Sequence, residues 1–210
     1  LNILQSSINQ NSIKSIFITT TDKCYENFNL KNKRYRENDK LGGNDPYSAS
    51  KAACEIMINS YLKSFLIKKN IGLVSARAGN VIGGGDWSDD RLIPDIIRSV
   101  QEGKKLIIRY PNATRPWQHV IDINNGYISL IEKLYEFPKK FSGPWNFGPN
   151  RLNNKNVYEI VLYLKKSYFK NLNIQIKQSK DYEEKIFLNL DSSKTKKILK
   201  WKNKMSIKQS

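Results

Sequence analysis

The sequence predicts an α/β fold built on a parallel sheet, and two apolar runs joined by one helix carry that prediction. Ser15-Ile16-Phe17-Ile18-Thr19-Thr20 is uncharged and rich in β-branched residues, as a buried strand is, and ends at Thr21-Asp22-Lys23. Ile71-Gly72-Leu73-Val74-Ser75-Ala76-Arg77 repeats the pattern and ends at Gly79-Asn80-Val81. Between them, Pro46 suits the first position of a helix that carries Tyr47 and Lys51. Strand, helix, strand makes a crossover unit, and sites in such sheets lie at the carboxyl ends of the strands.

The remaining elements follow in order. Leu1-Asn2-Ile3-Leu4 reads as a helix in mid-course that feeds the first strand. Arg91–Val100 reads as a helix with Ile93, Ile96, Ile97 and Val100 on one side. Lys104–Arg109 reads as a short strand with a turn at Pro111-Asn112 behind it. Asp122 is expected to cap a helix carrying Ile123, Tyr127, Leu130, Ile131 and Leu134. Trp145-Asn146-Phe147-Gly148 reads as a strand ending at a loop, and Val157, Ile160, Val161 and Leu164 mark an amphipathic helix. Asp191-Ser192-Ser193 is expected to cap a last helix with Ile198, Leu199 and Trp201 as its apolar positions.

Tyr47 and Lys51 are four apart, so the phenol and the ammonium share a helix face. A free tyrosine titrates near ~10, and a fixed cation beside it favours the phenolate. Such a pair reads as a general base for a hydroxyl proton; the plainer reading is a surface pair. The surrounding motifs favour the first. Thr20-Thr21-Asp22-Lys23-Cys24-Tyr25-Glu26-Asn27, Leu41-Gly42-Gly43-Asn44-Asp45-Pro46-Tyr47-Ser48-Ala49-Ser50-Lys51, Ala76–Trp87 and Asn112–Val120 resemble the CDP-glucose 4,6-dehydratases. These are NAD-dependent epimerase/dehydratase enzymes of the extended short-chain dehydrogenase/reductase superfamily. The resemblance is dense up to Pro149 and fades afterwards.

That resemblance implies a partial Rossmann-like, doubly wound parallel sheet with a smaller α/β substrate-binding lobe. Residues 1–81 would be the C-terminal half of the NAD-binding domain, rejoined by a segment at about 118–137, with 82–210 mainly the substrate lobe. Thr21, Asp22, Lys23, Tyr47 and Lys51 would be catalytic. Tyr47, Lys51 and Arg77 would meet NAD, and Asn80, Arg91 and Arg115 would bind the nucleotide sugar, CDP-glucose. The implied product is CDP-4-keto-6-deoxyglucose for surface polysaccharide, made by a cytoplasmic enzyme that is a dimer or tetramer at full length. Related dTDP-glucose enzymes carry Thr-Asp-Glu where this chain has Thr21-Asp22-Lys23. Lys23 could therefore be a C5 base with a depressed pKa, or a charged stabiliser of the enolate. An epimerase would need Tyr47 and Lys51 but not the pair at 22 and 23; a non-catalytic remnant would need none of them.

A dinucleotide fold opens with a strand, a glycine-rich turn and a helix, and this sequence shows no such opening. Gly83-Gly84-Gly85 has the wrong spacing for a phosphate loop and reads instead as a loop on the substrate side. The chain therefore reads as a fragment, expected to hold NAD weakly by itself.

Composition bounds the other classes. The 210 residues can bury one good core, as one or two domains. No run of ~18 apolar residues suggests a transmembrane helix. Cys24 and Cys54 lack Cys-x-x-Cys spacing, so reduced thiols are expected. The single histidine, His119, offers neither a histidine metal cluster nor a choice of triads, and no metal site is expected. The net charge of +17 invites a nucleic-acid partner, but no recognition motif accompanies it. Lysines thicken after Lys155 and read as solvated faces, whose excess charge would attract an anionic nucleotide sugar.

Overall fold

The computed structural model describes residues 1–149, 154–177 and 185–210. Helix α1 (Asn2–Ser7) leads into strand β1 (Ser15–Thr21), helix α2 (Pro46–Tyr61) and strand β2 (Gly72–Ala78). Strand β3 (Val81–Ile82), helix α3 (Leu92–Gln101) and strands β4 (Leu106–Ile108), β5 (Thr114–Pro116) and β6 (Gln118–His119) follow. Helices α4 (Val120–Glu136) and α5 (Pro138–Phe141) then precede strand β7 (Gly143–Phe147). Strand β8 (Asn154–Asn156), helix α6 (Val157–Ser167), strand β9 (Ile174–Ile176) and helix α7 (Ser193–Leu199) complete the order.

The main sheet runs β1-β2-β7 and is parallel throughout. Every residue of the central strand β2 is buried, which suits its uncharged run up to Arg77. Pairing of Thr21 with Ala78 and of Ala78 with Phe147 brings all three carboxyl ends to one rim.

Side chains alternate across a strand, and here the alternation sorts two helices onto opposite faces. Val74, Ala76 and Ala78 pack with Ile123, Leu130 and Leu134 of α4, and with Phe17, Trp145, Phe147 and Trp201. Ile16 and Leu73 point the other way, into a cluster with Leu4 and with Ile58, Tyr61, Leu62 and Leu66 of α2 and its continuation. Helices on both faces of a parallel sheet make the fold doubly wound α/β, as expected.

A second cluster of elements buries Ile96, Leu106, Ile108, Val161 and Leu172 between α3, α6 and the parallel pair β4-β9. Strands β5 and β8 pair antiparallel beside it. The loop after β1 is pinned to the last part of the chain: Tyr35 N–H donates to Asn189 O at 2.9 Å and Asp191 N–H to Tyr35 O at 2.8 Å. Tyr25, Tyr35, Leu188 and Leu190 pack around that seam.

Two local expectations need correction. His119, not Asp122, caps α4: its Nδ1 accepts from the Ile121 N–H at 3.1 Å. Asp122 lies one turn inside, where its Oδ2 accepts from the N–H groups of Lys204 and Met205. At α7 the side chain of Asp191 does accept from Ser193 N–H, but Ile198 faces solvent rather than the core.

Candidate active site

The rim is built from two short segments whose conformations are set locally. Thr21 ends β1, and its hydroxyl oxygen accepts from the Lys23 N–H at 3.3 Å, starting a tight turn over Asp22–Cys24. The same hydroxyl donates to Asp22 Oδ1 at 3.1 Å. That turn sends the Asp22 carboxyl inward, where it is only 3% exposed, and its Oδ2 has no hydrogen-bond partner among the described residues. Burial raises Asp22 to about 6, against the Thr21 hydrogen bond and the positive charges of Arg115 and Lys23. Space for this carboxyl exists because residue 79 is glycine. A Cβ there would meet Asp22 Oδ2 at 3.0 Å and Pro116 Cγ at 2.2 Å.

The second segment is the start of α2. Asp45 caps it through Oδ1, which accepts from Ser48 N–H at 2.9 Å, while the Ser48 hydroxyl donates to Oδ2 at 2.6 Å. Burial works to raise the Asp45 pKa, but these bonds hold it below the usual range. With Pro46 at the first turn, as expected, the cap fixes where Tyr47 leaves the helix.

Tyr47 is 48% exposed at the rim. Lys51 Nζ lies 5.5 Å and Lys23 Nζ 5.9 Å from the centre of its ring. The structure thus brings Thr21, Asp22, Lys23, Tyr47 and Lys51 together at the ends of β1 and α2. Two cations and a half-exposed phenol beside a buried carboxyl with a raised pKa can move protons to and from a bound hydroxyl compound.

The other expected residues are placed differently. Asn80 follows β2 at the same rim, half-buried, and its carbonyl accepts from Gln118 N–H at 3.0 Å. Arg115 is buried, donates to the carbonyls of Thr114 and Lys185, and acts through its charge on Asp22. Arg91 is exposed just before α3, and Arg109 pairs with Asp90. Arg77, expected at the cofactor, is enclosed instead. It is 3% exposed, and its guanidinium donates to Glu55 Oε2 at 2.6 Å and to the Tyr25 hydroxyl at 2.8 Å. Its place on β2 turns it toward α2, beneath the rim.

Gly83-Gly84-Gly85 forms a turn with Gly85 at φ +85, and the next helix begins only at Leu92. Trp87 is exposed, while Trp117 is buried with its indole N–H on Lys155 O. Burial pushes the Cys24 thiol up to about 12, which leaves it unreactive, and Cys54 is exposed on α2. Among the described residues no group of His, Cys, Asp and Glu could hold a metal ion, and no helix is long and apolar enough to cross a membrane.

Sequence reasoning passed over Asp45, Gly79 and Glu55. Asp45 before Pro46 is a visible cap signal. A glutamate four residues beyond Lys51, on the inner side of an apolar-faced helix, is the sign that Glu55 needed a partner.

Comparison with known proteins gives the site its relatives. A family model described as GDP-mannose 4,6 dehydratase matches residues 1–210. CDP-glucose 4,6-dehydratase of Salmonella typhimurium is 40% identical over 206 residues, which is 96% of this chain and 57% of that protein. The dTDP-D-glucose 4,6-dehydratase of Dictyostelium discoideum is 28% identical over 131 residues, or 58% of this chain and 29% of that one. Among solved structures, UDP-glucuronic acid 4-epimerase from Bacillus cereus, in complex with UDP-glucuronic acid and NAD, superposes with a TM-score of 0.81 at 20% identity. It covers 97% of this chain and 60% of that one. The dTDP-glucose 4,6-dehydratase of Streptomyces venezuelae, with NAD bound, gives 0.79 at 19% identity, over 98% and 60%. These two show the shared fold. The chain spans little more than half the length of the Salmonella relative.

Proposed function

The chain belongs to the GDP-mannose 4,6 dehydratase family, and from that premise we propose that it is the catalytic-rim portion of an NAD-dependent sugar-nucleotide 4,6-dehydratase acting on CDP-glucose. The observation that carries the reading is the meeting of Thr21-Asp22-Lys23 with Tyr47 and Lys51 at one rim. The 40% identity to the Salmonella enzyme supports the choice of CDP-glucose.

Tyr47 takes the proton from the sugar 4-hydroxyl, with the Lys51 ammonium 5.5 Å from the centre of its ring. Thr21 then hydrogen-bonds the 4-oxygen. The half-exposed Tyr47 and the neighbouring Lys51 fit the nicotinamide-ribose end of NAD, and among the described residues the glycine turn at 83–85, with no helix before Leu92, does not fit its phosphates. NAD, when bound, supplies the hydride acceptor for C4 and the hydride donor for C6. Oxidation at C4 makes the C5 proton acidic, and water then leaves from C6. Asp22 protonates the departing hydroxyl, a role that suits a buried carboxyl raised to about 6 because it keeps a proton close to neutral pH. Lys23 serves C5, as base or as charge stabiliser. Asn80 and Arg91 line the substrate side. Arg115 supports the same side through its charge. The product serves surface polysaccharide synthesis, and the whole protein acts as a homo-oligomer. Residues 1–81 with 118–137 form the cofactor side and 82–210 mainly the substrate side.

The test is product analysis of the whole protein carrying this chain, supplied with CDP-glucose and NAD. A 4-keto-6-deoxy product with solvent hydrogen at C5 is expected. A C4 epimer without loss of water overturns the reading. Lys23→Met separates the two roles of Lys23: loss of C5 deuterium exchange marks the base, slowed exchange the stabiliser.

A further inference from the structure

The residue that sequence reading assigned to the cofactor points to a different device. Arg77 and Glu55 form an ion pair beneath the rim, 3% and 2% exposed, with 2.6 Å between Nη2 and Oε2. Both ends of the Thr21–Lys23 turn are tied to it. On the near side, the Thr20 hydroxyl donates to Glu55 Oε1. On the far side, Arg77 donates to the Tyr25 hydroxyl at 2.8 Å, and Tyr25 in turn donates to Asn146 Oδ1 at 2.6 Å. Ser75 of β2 adds a donor to Glu55 Oε2 at 2.8 Å.

Glu55 is also the anchor of α2 at its site end. From Tyr47 to Glu55 the other buried residues of the helix are Ser48 and Ala52, both too small to fix a distance. The long apolar anchors, Ile58, Tyr61 and Leu62, begin a turn further from the rim. Lys51 stands one turn before Glu55 and Tyr47 two turns before, on adjoining parts of one face.

We propose that the Glu55–Arg77 pair is the positioning element of the site: it sets the separation between Tyr47 and Lys51 on α2 and the Thr21–Lys23 turn at the end of β1. Its catalytic consequence rests on the reading of that rim as a dehydratase site. Neither residue touches the substrate; both act through the groups they hold apart.

The test reads the separation directly. Lysines of the protein are dimethylated with 13C-formaldehyde, and the Lys23 and Lys51 signals are assigned with Lys23→Arg and Lys51→Arg. Tyr47→Leu gives the ring-current part of each shift, since both ammonium groups lie over that ring. In Thr20→Val and in Glu55→Gln, the Lys23 signal should lose at least half of this part. Lys51, which shares a helix with Tyr47, should keep its own. A folded Thr20→Val protein in which Lys23 keeps its full ring shift overturns the proposal. So does loss of both shifts together, which means that the start of α2 has simply unravelled. Thr20→Val keeps the ion pair and decides the matter if Glu55→Gln does not fold. In the whole protein, Thr20→Val should lower kcat for CDP-glucose at least 10-fold with KM within 2-fold; an unchanged kcat overturns the positioning role. If the parent protein forms no 4-keto product, the dehydratase reading fails while the ring shifts still decide the geometry.

Discussion

The two faces of the main sheet are built on different principles. On the α4 face the central strand is apolar from base to rim: Val74, Ala76 and Ala78 pack with Ile123, Leu130 and Leu134. The α2 face changes character halfway. At its base Ile16 and Leu73 meet Ile58, Tyr61, Leu62 and Leu66; toward the rim Thr20, Ser75 and Arg77 meet Glu55. Apolar burial is non-directional and tolerates small shifts of a helix, whereas a buried carboxylate with three donors fixes one arrangement. The face that carries Tyr47 and Lys51 is the one that has given up apolar area for directional contacts. Desolvating both charges makes such a pair a poor source of net stability, so its use at the rim points to geometry.

Breaking one partner of the pair is the largest perturbation expected. Glu55→Met leaves Arg77 buried beside Tyr25 without its counter-charge and should cost about 3–5 kcal/mol. Adding Arg77→Met should recover much of that loss, because the uncompensated charge then disappears. On the α4 face, Leu130→Ala removes a fully buried side chain and should cost about 2–5 kcal/mol, and no second substitution of that kind should restore it. Denaturant midpoints of these variants, of Arg77→Met alone and of the parent check this. Additive losses at Glu55 and Arg77 would erase the difference between the faces.

Asp22 sharpens the comparison at the rim itself. Its folded pKa of about 6 lies above the ordinary 3.8. The unfolded chain therefore ionises first, and stability is fully present below about pH 4 and falls as pH rises toward 6. Two units correspond to about 3 kcal/mol at the upper bound. Asp22→Asn should thus be more stable than the parent by up to that amount at about pH 7.5 and equal to it at about pH 3.5, and under the dehydratase reading it should lose dehydration. Thermal unfolding at the two pH values measures it. A variant with no advantage at the higher pH would mean that the carboxyl is not strained by burial.

What was legible in the sequence followed its range of interaction. Tyr47, Lys51 and the proline at the start of α2 depend on neighbours a few residues away, and Thr21-Asp22-Lys23 sits at the end of a run whose strand character is local. The strands β1, β2 and β7 and the helices α3, α4 and α6 were visible for the same reason. Arg77 was misplaced because its direction depends on which face of β2 it occupies and on Glu55, 22 residues away. His119 was overlooked as a cap because Asp122 is the commoner choice, yet Asp122 is held by Lys204 and Met205, 82 and 83 residues on. Partners that distant leave no periodic mark.

The smallest expected effect tests whether the two halves of α2 are independent. Asp45 caps the helix through Ser48, and Asp45→Ala should cost only about 1 kcal/mol overall. The loss should be local, because the helix is held from Glu55 onward by the ion pair and by the apolar base. Amide exchange should therefore quicken at Ser48, Ala49 and Ser50, whose N–H groups depend on the first turn, and stay slow at Ile58 and Tyr61. Tyr47 lies inside the loosened turn, so its distance from Lys23 should spread even though the fold is nearly as stable as before. Under the dehydratase reading, kcat then falls more than stability does. Exchange that quickens equally at Ile58 would show one cooperative helix. In that case the rim would draw its geometry from the apolar base, and the division between the halves of this face would not be a division of labour.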